Sequence, residues 1–286
     1  MSVAATATMA AAVLAGRRRT GLGRAPLPKA AKDEVLVRIE GCGVCASNVP
    51  VWEGRPWFDY PLDPGAPGHE AWGTVEETGE RVALLSFHAF AEYDVAPADR
   101  CVPLPPELHG RPTPLEPLGC AVNVVRRAGV EDGMSVAVVG MGFLGRAVAR
   151  LAERAGGDVA TVRRGDSPEG PFDAVIECAG TQSALDAASA LVGAGARLVL
   201  AGFHQDGPRT VDVQSWNWRG IDVVNAHERN PQVALDGMRA AAELLAAGEF
   251  DLEPLLTHRF PLARLDDAFA AASTRPPGFV KAWVEP

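Results

Sequence analysis

The sequence contains no apolar run of the ~18–20 residues that a membrane-spanning helix needs. It has no basic cluster either, since its longest basic run is Arg17-Arg18-Arg19. Lysine and arginine total 27 against 36 aspartates and glutamates, a net charge of −9. A chain with that balance repels phosphates, which argues against nucleic acid and anionic membranes as partners. Internal repeats and low-complexity linkers are absent. The Ala-rich stretch Val3–Ala15 carries its arginines after the apolar part, the reverse of a secretory signal. Met9–Gly16 reads as a first strand, with Met9 a candidate functional start. The cysteines are Cys42, Cys45, Cys101, Cys120 and Cys178. Their odd number in a chain without a signal argues against a disulfide framework and for a reducing, cytoplasmic setting.

What is present fits a soluble globular protein of one large domain or two ordinary ones: 286 residues, 47% hydrophobic and 22% charged. The texture changes near residue 120. Before it, short β-rich runs alternate with Gly/Pro punctuation (Glu34–Glu40, Gly73–Glu76, Arg81–Leu85, Ala91–Val95), which predicts an all-β unit of partly closed barrel type. After it, apolar strands (Ser135–Gly140, Asp158–Val162, Asp173–Cys178, Arg197–Gly202) alternate with helical stretches (Phe143–Ala155, Thr181–Leu191, Pro231–Ala247). Continuous apolar strands separated by helices predict a parallel sheet with covered faces. The segment Gly278–Val284 is a further strand candidate that would rejoin the first unit.

Gly140-Met-Gly142-Phe143-Leu144-Gly145 follows a predicted strand and opens a predicted helix. In that position GxGxxG is a dinucleotide-binding fingerprint. Gly140 permits the tight turn, Gly142 lets the backbone approach a pyrophosphate, and Gly145 lets helix and strand pack closely. The phosphates then sit on the positive end of the helix. The next strand ends in Arg163-Arg164, where a carboxylate would grip the ribose of NAD. Two guanidiniums there favour a 2′-phosphate, hence NADP over NAD; a solvated basic turn is the alternative. From Val162 to Asp173 is only 11 positions. A helical crossover needs a dozen or more, so the sheet is expected to lack its outer strand and covering helix, part of the usual adenosine wall.

Three segments gather metal-binding chemistry: Gly41-Cys42-Gly-Val-Cys45-Ala-Ser47-Asn48, Pro67-Gly-His69-Glu70 and Leu115-Glu116-Pro-Leu-Gly-Cys120. A single CxxC lacks the second pair of a zinc finger. Thiolate, imidazole and carboxylate together suit zinc, and three protein ligands with an open fourth position is the catalytic arrangement.

These segments, with Glu116-Pro-Leu, the glycine turn, Ile176-Glu-Cys-Ala-Gly180 and Leu256–Leu262, resemble the zinc-dependent medium-chain alcohol dehydrogenases. The resemblance covers almost the whole chain and is strongest to the sorbitol (polyol) dehydrogenase branch. It implies an α/β fold: a chaperonin-10-like β-barrel catalytic domain (1–120 and 255–286) interrupted by a shortened Rossmann domain with a doubly wound parallel sheet (121–254), and an active site in the cleft between them. It implies one catalytic Zn2+ held by Cys45 and His69, with Glu70 a ligand or exchanging near-ligand and Glu116 a ligand or water-mediated partner. Ser47 matches the hydroxyl that passes the substrate proton, and Arg229 an arginine that points at the metal's water network. The nicotinamide would lie between Cys178-Ala179-Gly180 and Ala201-Gly202-Phe203, contacting Ala179, Gly202 and Phe203. The implied activity is hydride transfer between NADP or NAD and a small secondary alcohol or its ketone, such as a polyol, sugar or cyclitol. A homodimer or higher homo-oligomer is expected from the uncovered sheet face.

Four features depart from the family. The four-cysteine lobe for a structural zinc is missing. Asn48 replaces the aspartate that orients the zinc-bound imidazole; an amide oxygen can still accept the ring N–H. Pro50 replaces a relay histidine, and the Rossmann half is short. The alternative function is a zinc-containing relative doing elimination, isomerisation or ligand binding with lost cofactor binding. A zinc-free quinone or enoyl reductase is a further rival, suggested by the short Arg81–Ala91 connection. Trp52, Trp57, Phe58 and Tyr60, with Trp216 and Trp218, are candidates for either pocket lining or packing.

Overall fold

The computed structural model describes residues 7–166 and 169–286; the first four residues of the Val3–Ala15 stretch lie outside them. In chain order the elements are β1 (Thr8–Gly16), β2 (Arg19–Pro26), β3 (Glu34–Gly43), α1 (Asn48–Glu53), β4 (Glu70–Val75), β5 (Arg81–Leu84), β6 (Tyr93–Pro97), β7 (Cys101–Pro103) and α2 (Leu115–Ala128). They continue with β8 (Ser135–Val139), α3 (Phe143–Arg154), β9 (Asp158–Val162), β10 (Phe172–Glu177), α4 (Gln182–Leu191), β11 (Val192–Leu200), α5 (Val213–Arg219) and β12 (Asp222–Asn225). The last are α6 (Pro231–Ala246), β13 (His258–Pro261), α7 (Leu265–Thr274) and β14 (Ala282–Glu285). Two compact units result: one runs to Pro117 and resumes at Met238, and the other is Leu118–Gly237.

The first unit is built on a seven-stranded sheet ordered β13-β14-β3-β4-β5-β7, with β6 paired to β3. Its neighbours are antiparallel except β13 and β14. The β1–β2 hairpin attaches through backbone bonds such as Ala12 N–H to the Phe90 carbonyl, 2.9 Å. The core collects Val37, Ile39, Leu84, Phe90 and Phe269, and each such side chain removed from water contributes about 1.5–3 kcal/mol. The predicted C-terminal strand does rejoin this unit: β14 pairs with β3 at Trp283–Gly43 and Val284–Cys42.

Trp52 belongs to this core. It is 6% exposed and its indole N–H donates to Asp266 Oδ1 at 2.7 Å, which removes it from the pocket candidates. Phe58 and Tyr60 pack against the same cluster, whereas Trp57 is exposed.

The second unit holds a five-stranded, all-parallel sheet ordered β12-β11-β10-β8-β9. Central strands read as apolar runs because helices cover both faces; Val136, Ala137 and Val138 of β8 are fully buried. The chain steps from β8 outward to β9, then returns to β10 on β8's other side. That reversal between β8 and β10 is the topological switch point, where ligands bind beyond the strands' carboxyl ends. The sheet ends at β9. No strand or helix separates β9 from β10 among the described residues, as the short spacing predicts. Trp216 is half-buried, with its indole N–H 3.3 Å from Ser189 Oγ, while Trp218 is 90% exposed. Among the described residues no helix is long and apolar enough to cross a membrane.

Candidate active site

Three backbone events place the metal-type side chains. Strand β3 ends at Gly43, and the next two residues deliver Cys45. Helix α1 begins at Asn48 with Ser47 at its N-cap. Strand β4 begins at Glu70, so His69 sits at the strand's entrance. The donor atoms of Cys45, His69 and Glu70 all lie within 4.8 Å of one another. Among the described residues they form the one such trio of Cys, His and carboxylate donors.

His69 is oriented by a backbone carbonyl. Its Nδ1 is 2.8 Å from the Pro67 oxygen. A carbonyl only accepts, so Nδ1 carries the proton and Nε2 is the nitrogen left for a metal. Asn48, whose amide oxygen is able to accept the ring N–H, does not take it here. Its Nδ2 donates to the same Pro67 oxygen at 3.2 Å, and its Oδ1 accepts the Cys45 amide at 3.1 Å. One asparagine thereby ties the loops of both ligands together. Phe87 stacks on the imidazole with ring centroids 6.2 Å apart.

Negative charges surround the His69 ring. Burial alone would lower the His69 pKa, but the Cys45 hydrogen bond and the charges of Cys45, Glu116 and Glu70 override it and hold the ring at about 10. Glu116, half-buried in the first turn of α2, contributes to that charge but stands outside the trio.

A fourth residue belongs here that motif reading passed over. Lys281 Nζ lies 2.8 Å from Glu70 Oε1 and 2.7 Å from Oε2, and both side chains are buried. Burial would lower the Lys281 pKa, yet the Glu70 carboxylate, the Cys45 charge and Glu116 raise it instead. The signal was a single lysine inside the apolar run Phe279–Val284, since a buried charge requires a partner.

The remaining candidates are placed as follows. Ser47 is half-buried and makes no side-chain cap bond. Cys42 is fully buried, and burial pushes its thiol well above the usual range. Cys120 is exposed and outside the trio. No disulfide joins any of the five cysteines.

In the second unit, Gly140 has φ +97° and its N–H bonds the Val162 carbonyl at 2.9 Å, turning the chain from β8 toward α3. Gly142 caps α3, and Phe143 and Leu144 form its first turn. A Cβ on Gly145 would overlap the Gly140 carbonyl oxygen, so no other residue lets α3 close onto the turn. Arg163 and Arg164 are exposed just beyond β9. The Asp166 carboxylate accepts the Arg163 amide at 2.8 Å and so serves the turn itself. Ala179 lies against the glycine turn: a Cβ on Gly140 would come 2.8 Å from the Ala179 Cβ. Gly202 follows β11 at the same sheet edge. Phe203 is exposed and stacks on His227, with centroids 5.5 Å apart. Arg229 is exposed in the loop after β12.

Comparison with known proteins adds the following. Residues 31–106 match the alcohol dehydrogenase GroES-like domain, and residues 148–276 match the zinc-binding dehydrogenase domain. Sorbitol dehydrogenase of Homo sapiens is 26% identical over 341 aligned positions that cover 94% of each chain. A cobalt- and zinc-bound thermostable alcohol dehydrogenase from Pyrobaculum aerophilum shares the fold at TM-score 0.83, with 22% identity over 98% of this chain and all of that one. A Sinorhizobium meliloti 1021 protein solved with NADP bound aligns at TM-score 0.80, with 24% identity over 98% of this chain and all of that one.

Proposed function

The chain belongs to the zinc-binding dehydrogenases of the medium-chain alcohol dehydrogenase family, near the polyol dehydrogenases, and from that premise we propose an oxidoreductase that interconverts a small secondary alcohol, of polyol or sugar type, and its ketone with NADP. The observation that carries the reading is the convergence of Cys45, His69 and Glu70 donor atoms within 4.8 Å. The donor set fits zinc: one sulfur, one imidazole nitrogen with the correct tautomer and one carboxylate, with negative charges around the His69 ring.

When bound, zinc supplies Lewis acidity toward the substrate oxygen, and the nicotinamide accepts or returns the hydride. The chain's own residues do the rest. Cys45 and His69 hold the ion, with Glu70 and Glu116 as its nearby carboxylates. Pro67 and Asn48 fix the ring of His69. Ser47 takes the substrate's hydroxyl proton in oxidation and returns it in reduction. Phe87 presents an apolar face beside His69. Gly140, Gly142 and Gly145 clear the path for the pyrophosphate. Arg163 and Arg164 meet a 2′-phosphate, which is the basis for NADP over NAD. Ala179, Gly202 and Phe203 would line the nicotinamide, and Arg229 keeps only the role that the family resemblance implies for it.

The protein is further proposed to be cytoplasmic and a homodimer or larger assembly. Edge strand β12, with Val223 exposed, supports assembly. A second reading, non-redox chemistry on the same zinc or ligand binding alone, is favoured by the sheet's end at β9.

The test is oxidation of a panel of polyols and secondary alcohols with NADP+ and NAD+, before and after chelation. The proposal expects turnover that chelation abolishes and zinc restores. Zinc-loaded protein that binds neither nucleotide at millimolar concentration would select the second reading.

A further inference from the structure

Glu177, the last residue of β10, is fully buried and has no part in the chemistry above. Its Oε1 accepts the amide N–H groups of Ala179 at 2.7 Å and Gly180 at 2.8 Å. Its Oε2 lies 3.0 Å from His204 Nε2. On the far side of that ring, Arg209 Nε donates to Nδ1 at 2.9 Å. A guanidinium only donates, so Nδ1 is the bare nitrogen and Nε2 carries the proton. That proton is directed at Glu177.

Arg209 then closes the ring: Nη2 donates to the Gly180 carbonyl at 2.8 Å and pairs with Asp206. Both polar groups of Gly180 are thereby held, its N–H by Glu177 and its carbonyl by Arg209. The ring ties the loop 203–209 after β11 to the turn after β10. Its location is the switch point of the sheet. Cys178 N–H bonds the Val139 carbonyl at 2.8 Å, so the same turn is pinned to the strand that leads into the glycine turn. A buried carboxylate, a neutral imidazole and a guanidinium, each satisfied by the next, form a closed polar network of the kind that rigidifies its surroundings.

We propose that Glu177, His204 and Arg209 are positioning residues, a relay that fixes the Cys178–Gly180 turn as one wall of the nucleotide groove and thereby sets cofactor affinity. This rests on the reading of that groove as the nicotinamide nucleotide site. The relay acts through the backbone of residues 179 and 180.

The test compares the full-length protein with His204→Leu and His204→Gln. Glutamine offers a donor to Glu177 and an acceptor to Arg209, while leucine offers neither. NADPH and NADH are titrated by fluorescence, and amide hydrogen exchange is followed at Ala179 and Gly180. Leucine is expected to weaken both nucleotides by roughly 10–100-fold, the effect of breaking a buried charged hydrogen bond, and to expose both amides to exchange. Glutamine is expected to recover most of both. Arg209→Met carries the same expectation should His204→Leu fail to fold. Wild-type affinity and protected amides in His204→Leu would overturn the relay and leave the function standing, as would a folded His204→Gln no better than leucine. A wild-type protein that binds neither nucleotide would overturn the groove reading and the relay with it.

Discussion

The Nδ1 nitrogen of His69 lies 2.8 Å from the carbonyl oxygen of Pro67, two residues earlier in the chain. The family's usual orienting group is a carboxylate; here a neutral backbone carbonyl serves, steadied by Asn48. Removing such an outer partner weakens metal binding by about 10–100-fold. Asn48→Ala should therefore lose zinc affinity by that factor in competition with a chelator, while its melting temperature stays near wild type in the zinc-loaded form. An unchanged zinc affinity would show that the Pro67 carbonyl holds the ring without help.

Lys281 and Glu70 form a buried ion pair, and taking one partner from such a pair costs about 3–5 kcal/mol because the other charge is left without compensation. A bound dication would replace the missing charge. Lys281→Met should therefore lose most stability in chelated protein and much less with zinc present, a difference measured by thermal melts in both states. Equal destabilisation with and without zinc would separate Lys281 from the metal site.

Arg164 stands exposed beyond β9, where a 2′-phosphate would lie. A charge-assisted hydrogen bond from a guanidinium to phosphate is among the stronger contacts available at a surface. Arg164→Asp should shift the NADPH-to-NADH preference toward NADH by roughly tenfold or more, read as the ratio of kcat/KM values. An unmoved ratio would mean that Arg164 does not touch the cofactor.

Much of the fold was legible because its strongest elements carry strong patterns. The buried run of β8 and the glycine turn after it could hardly be anything else. Strand β9 matches its predicted limits, and α3 starts at the predicted Phe143. By contrast β2, Arg19–Pro26, faces solvent along nearly its whole length and so shows no apolar alternation to read. Strand β12 is similarly exposed. In the site, Cys45, His69 and Glu70 were readable because their chemistry is confined to short segments. The Lys281–Glu70 pair spans 211 positions and arises only when β14 returns to β3. The Asn48 role was not legible because its amide both donates and accepts, and only the geometry directs Nδ2 at the Pro67 carbonyl and Oδ1 at the Cys45 amide. The relay on Glu177 was hidden because His204 and Arg209 belong to no motif.

The central claim is that Cys45 and His69 hold a zinc ion, with Glu70 as a ligand or exchanging near-ligand beside it. X-ray absorption at the zinc edge, on protein purified without added metal, tests it most directly. The account predicts about one zinc per chain with a single sulfur neighbour at about 2.3 Å and nitrogen or oxygen for the rest, and loss of both metal and sulfur signal in Cys45→Ser. Less than a tenth of an equivalent of zinc, or a shell with no sulfur in the wild-type protein, would contradict it.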